Sequence, residues 1–145
     1  MKQKLLLFAV ITVLSACNAQ KTADCPNVMC TQDFRYITVK LLSGSGGEPD
    51  MKNYEVKFKS SGKKLNSNPG PDAAANPNTL VIADDSNLKE LSPKGDVMIL
   101  SIRRNDGSSI DVPYTISGGV CNCHVSKVSG PDEIDTDRKA QTTNP

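Results

Sequence analysis

An all-β fold, an antiparallel β-sandwich or small barrel with one short helical corner, is what this sequence predicts, and three observations carry the prediction. Residues 54–58 alternate, with Tyr54, Val56 and Phe58 on one face and Glu55 and Lys57 on the other, the period of two expected of a half-buried strand. Turn-forming residues punctuate the chain at short intervals, most clearly at Asn105-Asp106-Gly107, where glycine accepts the positive φ of a tight hairpin. Aromatic residues are scarce, with three Tyr, three Phe and no Trp. The core must therefore rest on Val, Ile and Leu, which suit a pleated, half-buried surface.

The elements follow in chain order. Residues 35–42 set Ile37, Val39 and Leu41 on one side of a first strand, and residues 54–58 form the second. Residues 80–83 and 97–102 are more continuously apolar and read as strands buried on both faces. Between them, residues 86–91 hold about a turn and a half of helix, closed by Pro93 and Gly95. Ile110, Val112, Tyr114 and Ile116 share the face of a further strand, in which Pro113 cannot donate to a ladder and so marks an edge or a bulge. After the Ser117-Gly118-Gly119 turn, residues 120–128 read as the last strand. The segment Leu88-Lys89-Glu90-Leu91-Ser92-Pro93-Lys94-Gly95-Asp96-Val97 resembles the inter-strand corners of immunoglobulin-like and prealbumin-like bacterial domains, which implies a sandwich of that kind.

The start of the chain is an address. Lys2 and Lys4, an apolar run over residues 5–14 and the small residues Ser15 and Ala16 describe a secretory signal. A membrane-spanning helix needs about 20 apolar residues, roughly twice this run. Leu14-Ser15-Ala16-Cys17 resembles the signal of bacterial lipoproteins. That resemblance implies cleavage before Cys17, a diacylglycerol on its thiol and acylation of the new amino terminus. Two or three acyl chains give a stable membrane anchor. In the enterobacterial pattern an aspartate after the cysteine favours the inner membrane, and here Asn18 follows. The implied site is the outer membrane, with the domain facing the periplasm or the surface.

The expected organisation is a signal at residues 1–16, a lipidated tether at 17–33, a sandwich at 34–128 and a disordered acidic tail at 129–145. The tail reading rests on Asp132, Glu133, Asp135 and Asp137 beside a single large aliphatic residue, Ile134. Loss of Lys2 and Lys4 from 17 basic side chains leaves one fewer than the 16 acidic ones. That near balance lacks the basic footprint of nucleic-acid binding. The glycine-rich stretch 44–47 lacks the lysine and hydroxyl of a phosphate loop and reads as a connector, while the proline- and alanine-rich stretch 66–78 is long enough to be a contact loop.

Chemistry concentrates in the cysteines. With Cys17 assigned to lipid, Cys25, Cys30, Cys121 and Cys123 remain, and an even number in an exported protein reads first as two disulfides. In a strand, residues two apart have Cα atoms ~6.6 Å apart, so a Cys121–Cys123 bond is awkward and cross-links to Cys25 and Cys30 are favoured. The alternative is a metal site in which the same four thiolates, with Met29, take copper or zinc. Strand alternation would put His124 opposite Cys121 and Cys123, leaving it a lone surface side chain. There is no GxSxG elbow, and Asp84 and Asp85 would point to opposite faces of an extended segment. The expectation is therefore a non-catalytic, cofactor-free, lipid-anchored envelope domain that meets a protein or glycan partner, with a metal-binding lipoprotein as the alternative.

Overall fold

The alternation and the turn residues become seven strands and one 3₁₀ turn in a computed structural model that describes residues 25, 29–67, 76 and 78–137. The signal, Cys17 and most of the 66–78 stretch lie outside the described residues. The strands are β1 (Tyr36–Leu42), β2 (Asn53–Phe58), β3 (Thr79–Asp84), β4 (Asp96–Arg103), β5 (Ser109–Ser117), β6 (Ser126–Ser129) and β7 (Glu133–Asp135). They form two sheets, in the order β3-β1-β7 and β2-β4-β5-β6. Every pairing is antiparallel except β1 with β7, so the chain is an all-β sandwich.

Inward-facing rows follow the alternation. Val39 and Leu41 of β1 and Leu80 and Ile82 of β3 pack against Val56, Met98, Leu100, Ile102, Tyr114 and Ile116 of the larger sheet in one core. The 3₁₀ turn (Asp85–Glu90) is the corner where the chain leaves β3 for the other sheet. Asp84 caps it: its carboxylate accepts from Ser86 N at 2.8 Å while Asn87 Oδ1 accepts from Asp84 N at 3.0 Å, and both side chains are buried. This reciprocal arrangement satisfies donors that a turn start would otherwise strand. Gly107 takes φ +87° in the β4–β5 hairpin as its sequence requires. Pro113 pairs with Ile99 of β4, whereas β6 joins β5 only at residues 115–117, so the proline sits where β5 has a neighbour on one edge alone.

Two expectations are corrected. Residues 120–128 are not one strand: β6 begins at Ser126, because Asn122 N donates to Gly119 O at 3.0 Å and the Asn122 side-chain amide donates to Gly118 O at 2.5 Å, closing a turn instead. The acidic tail is not disordered where the structure describes it. β7 lies parallel to β1, Ile134 is buried against the core, and Thr136 is fully buried with its hydroxyl on Leu42 O at 3.1 Å. Ile134 supplies the apolar contact and the open edge of β1 supplies the ladder. The carboxylates of Asp135 and Asp137 then take up N–H groups of the glycine-rich stretch, Gly44 N at 3.2 Å and Ser45 N at 3.0 Å. The sandwich thus runs to Asp137, and residues 138–145 lie outside the described residues.

The packing around Tyr114 shows how the tail is held. Its hydroxyl donates to Pro131 O at 2.9 Å, and Gly130, at φ +125°, lies so close that a Cβ there would meet the ring at 2.2 Å. Burial and the nearby Asp132 carboxylate push the phenol well above its ordinary pKa.

Candidate functional site

The long axis of the sandwich has two chemically different poles. At one, β1 and β6 begin and β3 and β5 end, and the 3₁₀ turn and the 118–125 turn meet. Here the amino-terminal segment is fastened by Cys25–Cys121 and Cys30–Cys123, with Cα separations of 5.1 and 5.2 Å. The cross-links join the amino-terminal pair to the carboxy-terminal pair as expected, though Cys121 and Cys123 stand on a turn and not on the strand from which that pairing was argued. All four sulfurs are consumed, so none remains a thiolate for the metal alternative, and Met29, its proposed fifth donor, stands 98% exposed.

His124 is not a lone surface side chain. Because residues 121–124 turn rather than extend, the imidazole swings inward and its Nδ1 lies 2.7 Å from Asp85 Oδ2, with both side chains nearly buried. An ionised carboxylate only accepts, so Nδ1 carries the hydrogen and Nε2 faces the Thr31 hydroxyl at 3.0 Å. Asp85 also accepts from Arg35 N at 2.9 Å and Val125 N at 2.9 Å, tying together three stretches of chain. Burial raises its pKa, but the hydrogen bonds from His124, Arg35 N and Val125 N outweigh burial and hold it below the ordinary carboxylate value. Hydroxyl, imidazole and carboxylate stand in the order of a proton relay. These bonds join the amino-terminal segment, the 3₁₀ turn and the 118–125 turn. The trio works as a latch beside the disulfides.

The latch has a measurable pH signature. Asp85→Ala should cost about 1–3 kcal/mol at neutral pH, since it removes the acceptor of three hydrogen bonds, two of them part-buried. Because the folded pKa is depressed, the carboxylate's contribution is present above the ordinary value and fades as pH falls below it. Urea unfolding at pH 7 and again below about pH 4 should show the gap between variant and parent narrowing on acidification.

The groove lies on the outer face of the larger sheet, in the half away from the clasp. β2, β4 and β5 run side by side in one-to-one register, so Asn53, Arg103 and Ser109 form one outward row and Glu55, Ser101 and Asp111 the next. These rows line a polar depression of about 640 Å³, with Lys64 at its rim from the segment bonded to the edge of β2. A hydrogen bond from Lys57 at 2.5 Å, with the positive charge of Lys57, Lys64 and Arg103, keeps Glu55 below its ordinary pKa. Two carboxylates, two cations, two hydroxyls and an amide thus alternate over a few square nanometres of flat sheet. Sequence reading had identified Glu55 only as the solvent face of a strand, since cross-strand rows appear only once register is known. Thr31 carried no local signal, and Asp85, weighed only as the neighbour of Asp84, meets His124 because the 3₁₀ turn and the 118–125 turn come together. No known family model, curated protein or solved structure matches the chain.

Proposed function

We propose that this chain is a lipid-anchored, non-catalytic lipoprotein of the bacterial envelope that presents its polar groove to a hydroxyl-rich partner, a glycan of the envelope. One observation carries the reading: the segment leading back to Cys17 is clasped at one pole, and the groove lies on the outer sheet face and reaches toward the other. β4 spans the distance, its first residue Asp96 beside the clasp and its last, Arg103, in the groove. A chain anchored through Cys17 would therefore hold the groove away from the bilayer, roughly 25 Å from the clasp at strand spacing. Alternating donors and acceptors match the hydroxyls of a sugar, each of which both donates and accepts.

Two measurements test the reading. The mature chain isolated from membranes should begin at Cys17 and carry acyl mass; a chain that begins elsewhere or lacks acyl groups overturns the anchor. Envelope oligosaccharides titrated into the protein should shift amide resonances of β2, β4 and β5 on the outer face. Arg103→Ala and Asp111→Ala should each weaken that binding by about tenfold, the worth of one lost charge-assisted hydrogen bond. Shifts elsewhere, or none, overturn the groove.

A further inference from the structure

We infer that the clasp pole is itself a membrane-docking surface, one that lies against anionic lipid rather than dangling from the tether; the inference rests on the lipoprotein reading above. Five large apolar side chains are exposed among the described residues, and all five lie at this pole: Met29 at 98%, Val120 at 65%, Val128 at 58%, Phe34 at 51% and Val97 at 41%. Met29 and Phe34 flank Cys30, and Val120 precedes Cys121. Val97 and Val128 stand near the clasp end of the larger sheet, where a Cβ on Gly95 would meet Val128 at 3.6 Å. Scattered exposed aliphatics need no explanation, but their confinement to one end does.

Charge is divided along the same axis. The exposed cations Arg35, Lys59, Lys89 and Lys94 ring the clasp pole. Of the acids there, Glu90 is paired with Lys63, Asp85 is engaged by His124, Asp96 accepts from Ser92 N, and Asp33 is exposed. The opposite pole gathers Glu48, Asp50, Asp106, Asp135 and Asp137 around Lys52, Arg103 and Arg104, so acids are in excess there. An apolar fringe interleaved with Lys and Arg is the composition that seats a surface in the headgroup region, and each cation near an anionic leaflet adds attraction. The geometry also brings the surface there: seven residues separate Cys17 from Cys25, so the two lie at most about 28 Å of chain apart. Because an anchored pole cannot leave that shell, even weak lipid affinity is amplified by effective concentration.

The test compares the two poles within one molecule. The acylated full-length mature protein is placed in vesicles of phosphatidylcholine with phosphatidylglycerol, exposed to a membrane-impermeant amine reagent, and mapped by mass spectrometry. Lys89 and Lys94 should react about tenfold more slowly than Lys52, which lies toward the groove pole, and high salt or pure phosphatidylcholine should reduce the difference. Met29→Ser/Phe34→Ser/Val120→Ser, which touches only exposed side chains, should remove most of it. Equal labelling of both poles on acylated, vesicle-bound protein overturns the docking surface and leaves the anchor standing. Protein that carries no acyl chain and stays in solution overturns the anchor. Shielding of the pole that persists without vesicles, or in the triple variant, assigns it to a protein contact or a second copy and likewise overturns the inference.

Discussion

Removing both disulfides should destabilise the domain by about 7 kcal/mol, whereas removing either alone should cost only about 2.5 kcal/mol. The two cross-links, 25 to 121 and 30 to 123, interleave along the chain and are not independent. With one intact, the long loop of 93 or 96 residues stays closed, and the second constrains only the short ring between the bridges. Chain entropy assigns ~4.7 kcal/mol to the long closure and ~2.5 kcal/mol to a ring of about eight residues, both upper figures because unfolded chains retain structure. Their sum rivals the whole margin of a small domain, roughly 5 to 15 kcal/mol. Cys30→Ser/Cys123→Ser and Cys25→Ser/Cys121→Ser should each lower the melting point by roughly 10 °C, and the quadruple variant by more than roughly 25 °C. A first pair that costs as much as both together would overturn the shared closure of the long loop. A melting curve that moves with chelator would reopen the metal reading.

The sandwich was legible because its signals are local. Alternation at Tyr54, Val56 and Phe58, the Asn105-Asp106-Gly107 turn and the corner before Pro93 each act within a few residues, and each matches an observed element. The cysteine pairing came out as expected although its premise did not, since residues 121–124 turn rather than extend and strand spacing does not apply to Cys121 and Cys123. What escaped depends on partners distant in sequence. His124 looked solitary because Asp85 and Thr31 are 39 and 93 residues away and because the turn that aims it is closed by an asparagine side chain. The groove is a property of register, with Glu55 and Asp111 gathered about Ser101 only once three strands align.

The tail is where local composition misleads most, and it yields the sharpest contrast. A polar, acidic stretch with one aliphatic residue reads as solvated, so a chain ending at Ser129 should by that logic melt like the parent. The structure requires the opposite. Ending the chain there removes Ile134 from the core, worth about 2–4 kcal/mol by comparison with truncations of buried aliphatics. It also strips the partners of Tyr114 Oη on Pro131 O, Lys40 N on Asp132 O, Leu42 O on Thr136 N and Asp50 N on Thr136 Oγ1. A buried group left without its partner costs about 1–3 kcal/mol. The expected total exceeds about 5 kcal/mol, enough to leave the shortened chain partly unfolded at room temperature. β1 would also lose its cover on one side and become an open edge on which other chains can pair. A chain ending after Asp137 keeps every one of these contacts and serves as the reference. Melting of the two truncations, with Ile134→Ala expected to fall between them, checks the assignment. If the chain ending at Ser129 melts within a few degrees of the reference, β7 rests on the sandwich without holding it together.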